Sequence, residues 1–219
     1  MATRRISVNV GGLWRTEVEL EEEATWLELI YKIQKVTGIW TGCQRLTPSN
    51  NYNNKCELEE GDDVFCDWEL PNGRHPLHNA AFDVNIEAIR SWVASGADIN
   101  VTNKHKTTPL MYACSHAYLY SKEECMMELL RLGANANAID DNNCTVLHII
   151  ACYYNLNKIE KMERMAKILI KAGCDPTKRN NKNETFIDIL KKEYYNDSVI
   201  KLEEWIKEQT EQKMKIQSI

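Results

Sequence analysis

Ile6, Val8 and Val10 alternate with polar residues, the two-residue period of a strand with one buried side. Gly11 and Gly12 interrupt it, and Val18 and Leu20 resume it, so residues 6–20 are expected to form a β-hairpin. The period lengthens after Thr25. Trp26, Leu29, Ile30 and Ile33 fall on one face of a helix, Thr25 and Glu28 have capping-box spacing, and Gly38 supplies a left-handed stop. Gln44 to Thr47 and, beyond an Asn-rich stretch, Val64, Cys66 and Trp68 return to alternation, which predicts two further strands. From residue 75 onward the apolar spacing is helical to the end.

That helical part repeats. "HPLHNAA" at 75, "TPLMYAC" at 108, "TVLHIIA" at 145 and "TFIDILK" at 185 align on Leu77, Leu110, Leu147 and Ile187, which are 33, 37 and 40 residues apart. A second marker keeps phase with the first: "ASGADIN" at 94, "RLGANAN" at 131 and "KAGCDPT" at 171. Each unit is expected to hold two helices, opened by Thr-Pro, closed in αL by Gly96, Gly133 or Gly173, and packed closely through Ala80, Ala81 and Ala113. The glycine normally two residues before Thr-Pro is replaced by Lys106, Asn143 and Asn183, positions that still demand a left-handed backbone. The extra 4 and 7 residues of the second and third units are placed between their helices, as loops.

A period near 33 opened by T-P-L-H-x-A resembles the ankyrin repeat, which implies a stacked all-α solenoid. Hairpin, helix and further strands in about 65 residues is the order of a β-grasp. Ile33, Gln34, Gly38, Ile39, Gln44, Arg45 and Leu46 resemble the matching segment of ubiquitin. The expected fold is therefore α+β, a ubiquitin-like β-grasp at 1–71 followed by about four ankyrin repeats at 72–103, 104–138, 139–177 and 178–209. The last is read as a degenerate capping unit with Lys201, Glu203, Glu204, Lys207 and Glu208 outward, and 210–219 as a tail without regular structure. Together the two parts resemble the ankyrin-repeat and ubiquitin-domain-containing proteins. Gly73 already stands two residues before the first "H-P-L-H", leaving only Pro71 and Asn72 between the parts, so the first is expected to cap the first repeat semi-rigidly.

Charge separates the same two parts: residues 1–72 hold 7 Lys/Arg against 13 Asp/Glu, and the remainder 20 against 19, for a net −5. An acidic first part argues against nucleic acid. No run of about 18 apolar residues occurs, so no membrane span and a cytoplasmic location are expected, with a larger assembly or the cytoskeleton as companion possibilities. The eight cysteines are read as reduced thiols, mainly core.

No P-loop, G-x-S-x-G, H-E-x-x-H or Cys/His metal spacing is present, and neither a small-molecule substrate, a cofactor nor a catalytic residue is expected. His78 and His148 occupy the fourth position of the repeat motif, where the resemblance implies a hydrogen-bonding framework role. The resemblance also implies partner binding through hairpin tips and first helices. Carried over by position, this selects Phe82, Asp83, Lys104, Lys106, Tyr112, Ser115, His116, Asp141, Asn143, Cys152 and Tyr153. Trp14 and Trp40 are further candidates for contact, the latter against the repeats. Ubiquitin's apolar recognition patch would fall at Thr47 and near Asp67, both polar here, and no diglycine ends the domain. The expected function is a non-enzymatic adaptor or structural subunit that binds protein on the ankyrin face, with the ubiquitin-like domain as second contact. The alternative is a ubiquitin/proteasome-pathway factor in which that domain docks on the degradation machinery and the repeats select a client.

Overall fold

Apolar alternation produces the expected sheet. In the computed structural model, which describes residues 3–12, 14–39, 44–47, 58–59, 62–68, 73–115, 122–153, 159–194 and 197–217, β1 (Thr3–Val10) and β2 (Trp14–Glu21) form an antiparallel hairpin with Ile6 opposite Val18. Ile6, Val8, Val10, Val18 and Leu20 are all buried on its inner side. β4 (Asp63–Trp68) runs parallel to β1, with Val8 opposite Val64, and β3 (Gln44–Thr47) pairs antiparallel with β4. The four-stranded order is β2-β1-β4-β3.

α1 (Trp26–Thr37) has the limits its sequence signals require. Thr25 Oγ1 accepts from the Glu28 N–H (3.3 Å), and Glu28 Oε2 accepts from the Thr25 N–H (2.7 Å). Gly38, at φ 72, donates its N–H to the Gln34 carbonyl and ends the helix. Trp26, Leu29, Ile30 and Ile33 are buried, each worth roughly 1.5–3 kcal/mol of transfer free energy.

Two compact units divide the chain, Met1–Lys104 and His105–Ile219. The division falls after the first repeat, so α2 (Pro76–Phe82) and α3 (Ile86–Ala94) belong with the sheet. The end of α1 lies directly on this helix pair. Asn85 Nδ2 donates to the Lys35 carbonyl (2.6 Å), the Trp92 indole N–H donates to the Thr37 carbonyl, and a Cβ at Gly38 would stand 2.9 Å from Ala80 Cβ. His75 takes the place of threonine as N-cap of α2, its Nδ1 accepting from the Leu77 N–H (3.1 Å), and its ring meets Trp92 edge-on at 4.9 Å.

The second unit contains three helix pairs: α4 (Pro109–Cys114) with α5 (Lys122–Arg131), α6 (Val146–Tyr153) with α7 (Ile159–Lys171), and α8 (Phe186–Tyr194) with α9 (Asp197–Gln217). No pair covers its own apolar face, so α4 packs on α6 and α6 on α8. Leu110, Met126, Leu147, Met165, Phe186 and Leu202 fill the resulting core. The stack is laced at intervals of one repeat: His148 Nε2 donates to the Glu184 carbonyl (3.1 Å), and Asn137 Nδ2 to the Gly173 carbonyl (2.8 Å).

Lys106, Asn143 and Asn183 adopt φ 56, 56 and 60, as their motif position demands. One correction concerns the last helix, which continues to Gln217 where the sequence pattern ended regular structure near 209. Apolar periodicity stops before that end, but Lys, Glu and Gln are good helix formers and prolong a helix already nucleated on the core.

Candidate protein-binding surface

In the second unit, short hairpins precede each first helix and are held by their own polar side chains. Asp140 Oδ1 accepts from the N–H groups of Asn142 and Cys144, both at 2.8 Å, and Asn180 Oδ1 plays the same part for Lys182 (2.9 Å) and Glu184 (3.0 Å). Neighbouring tips are then tied together. The Asp141 N–H donates to the His105 carbonyl (3.2 Å), the Asn181 N–H to the Asn142 carbonyl (2.9 Å), and the Asn143 amide to Asn181 Oδ1. A row of polar tips on a rigid backbone results.

The eleven selected residues divide between the two units. Phe82 is half-buried at the end of α2, Asp83 is exposed at its C-cap, and exposed Lys104 lies against Gly73, a Cβ there standing 3.3 Å from its Cγ. In the second unit Lys106 and Asp141 approach to 3.7 Å, with His105 equally near the same carboxylate. Tyr112 is half-buried on α4, and Ser115 Oγ donates to its carbonyl (2.9 Å). Asn143 is exposed at its tip, and Cys152 and Tyr153 are exposed at the end of α6. His116, Trp40 and the Trp14 side chain lie outside the described residues, as do the side chains of Thr47 and Asp67.

A groove of about 590 Å³ opens beside Cys152. Asn142, Cys144 and Cys152 line it from the third repeat; Asn180, Asn181, Lys182, Glu184, Ile189 and Lys192 line it from the fourth. Position-by-position reasoning stopped at the third repeat because the fourth was taken only as a cap. The signal was present, since the step from Leu147 to Ile187 is 40 residues, and adding it to Asp141, Asn142 and Cys152 gives Asn181, Lys182 and Lys192.

Lys192 pairs with Glu184, and the Asn180 amide also donates to that carboxylate (3.3 Å). The Lys192 hydrogen bond foremost holds the Glu184 carboxyl below its ordinary range, and the same bond raises Lys192. Burial pushes the Cys144 thiol up to about 11, so the groove presents it neutral. The framework role of the motif histidines is visible in their bonds: His148 Nδ1 accepts from the Thr145 N–H (3.1 Å), and His78 Nδ1 from the His75 N–H (3.0 Å). Both rings are buried. Among the described residues no group of three or more His, Cys, Asp and Glu is arranged to hold a metal, and no helix is long and apolar enough to cross a membrane.

Residues 77–180 match the family model for ankyrin repeats, in three copies. The chain is similar to E3 ubiquitin-protein ligase KEG of Arabidopsis thaliana, 26% identical over 60% of this chain and 8% of that one. It is similar to alpha-latrotoxin-Lg1a of Latrodectus geometricus, 27% identical over 56% of this chain and 8% of the other. Protein phosphatase 1 regulatory subunit 27 of Mus musculus is 35% identical over 36% of this chain and 49% of its own length. The chain thus spans less than a tenth of the first two relatives and about half of the third. Ankyrin repeats are present, and with them a module for protein–protein interaction.

Proposed function

We propose that this chain is a non-enzymatic adaptor or structural subunit that binds a protein partner through the tips and first helices of its ankyrin repeats. The observation that carries this reading is the groove of the third and fourth repeats, where side chains from two hairpins and two first helices converge on a frame that the Asp140, Asn180 and His148 bonds keep rigid. The regulatory-subunit name of one partial relative agrees with such a role. The N-terminal sheet and α1 are read as a ubiquitin-like β-grasp offering a second contact, a reading supported by the parallel pairing of β1 with β4 and by a helix between hairpin and β3.

Substitution of Tyr112, His116, Tyr153 and Lys192 by Ala or Glu, followed by cross-linking and affinity purification from the native cell, tests the assignment. At least one partner should be lost while the fold is kept; retention of every partner rejects this surface. A ubiquitin-pathway role has in its favour the ligase names of several partial relatives, which this chain matches over 8% and 19% of their lengths in two cases. Polar Thr47 and Asp67 weigh against it. NMR titration of the labelled chain with a ubiquitin-binding motif separates the two: shifts at 45–47 and 64–68 favour the pathway reading.

A further inference from the structure

Within an acidic chain, the groove of the third and fourth repeats is bordered by cations whose neighbouring anions are already engaged. Asp140 accepts two backbone N–H groups, and Asp141 faces His105 and Lys106. Glu184 is paired with Lys192 and takes the Asn180 amide. Lys182 and Lys192 are both exposed at the groove, and Lys178 and Arg179 share the fourth hairpin with Lys182. A carboxylate arriving there would meet two ammonium groups, in a site partly withdrawn from water where such attraction is screened less. Beside them the floor is small and apolar, made by Ile189, the neutral Cys144 thiol and the exposed Cys152 thiol. A volume of about 590 Å³ suits a few residues of extended chain rather than a folded surface.

We propose that this groove takes an extended peptide segment of the partner carrying an aspartate or glutamate next to a small aliphatic residue, the acid on Lys182 and Lys192 and the aliphatic side chain on Cys144, Cys152 and Ile189. This rests on the reading of the ankyrin face as protein-binding, and adds the chemistry that the face selects. Glu184 makes the site discriminating: a basic peptide would have to displace Lys192 from it and would still face Lys182.

Selection of the full-length chain against a random library of short immobilised peptides tests the proposal. Enriched sequences should carry Asp or Glu beside Val, Ile, Leu or Ala. Affinity for a synthesised winner, read by fluorescence anisotropy, should fall at least about tenfold in the double variant Lys182→Glu and Lys192→Glu, and stay within about twofold in Lys182→Arg. Lys182→Gln, an exposed hairpin substitution, provides a readout if the double variant unfolds, and should weaken binding less than the reversal would. Selection without acidic preference, or a winner insensitive to Lys182, overturns the proposal. If such winners still depend on Tyr112 or Tyr153, the protein-binding reading survives and only the acidic specificity fails. If the chain selects no peptide the proposal also fails, and the partner scan above decides the broader reading independently.

Discussion

Val84 is a β-branched residue at φ 60, in the turn between α2 and α3. The left-handed region costs an L-residue roughly 1–2 kcal/mol, and glycine escapes that cost while adding some chain entropy. Val84→Gly is therefore expected to raise the free energy of unfolding by about 0.5–1 kcal/mol, seen as a higher urea midpoint at unchanged slope; a lower midpoint contradicts it. Nothing in the sequence announces this strain, because valine is the residue type least suited to the conformation. His75 gives a pH signature. Burial foremost, then the neighbouring His78, lowers its pKa to about 4 from an ordinary value near 6.5. The unfolded chain then holds the extra proton between those values, so the stability contributed is full above about 6.5 and is lost as pH falls toward 4. His75→Asn, which keeps an N-cap acceptor, should flatten the part of the urea stability profile between pH 6.5 and 4 that this residue supplies. The candidate surface was legible to the extent that each residue obeyed the repeat register. Lys106, Asp141, Asn143 and Cys152 were placed by it, whereas Lys182 and Lys192 were overlooked although the same register reaches them.

α1 shows how an element's limits can be local while its role is not. Thr25, Glu28 and Gly38 mark its two ends in the sequence, and the structure forms both caps there. Thr25→Ala should cost about 1 kcal/mol, the usual value of an N-cap. Gly38→Ala should cost more, roughly 2–4 kcal/mol, since the residue combines a left-handed backbone with a 2.9 Å approach to Ala80 Cβ. Comparable losses for the two variants, by chemical denaturation, would mean that Gly38 serves only as a helix stop. The approach to Ala80 was out of reach of periodicity, which records the face an element buries and not the partner it meets. The end of α9 was missed for the opposite reason: apolar periodicity fades before the helix does, because propensity sustains the last turns.

At the scale of the molecule, the end of α1 and the first repeat form one compact unit, joined by Asn85, Trp92 and Gly38. Limited proteolysis of the intact chain should therefore leave the sheet and the first repeat in a common fragment; ready separation near residue 73 contradicts this. The joint was visible in the sequence as the bare Pro71-Asn72 spacing before the first motif. Its chemistry was not visible, since the pairings of Lys35 with Asn85 and Thr37 with Trp92 span 50 and 55 residues and carry no motif.

Two periods, one of 2 and one of 3.6, together with a repeat step of 33 to 40 residues, determined from sequence alone the element types, their order and the left-handed positions at Lys106, Asn143 and Asn183. These are properties of the backbone and of one buried face, and each is encoded within a few residues. Tertiary structure decided which faces meet, that β4 lies parallel to β1, and that two hairpins and two first helices enclose a groove with lysines at its border. Such outcomes depend on the packing of surfaces distant in the chain, where many residues of similar size and polarity would satisfy the same local pattern.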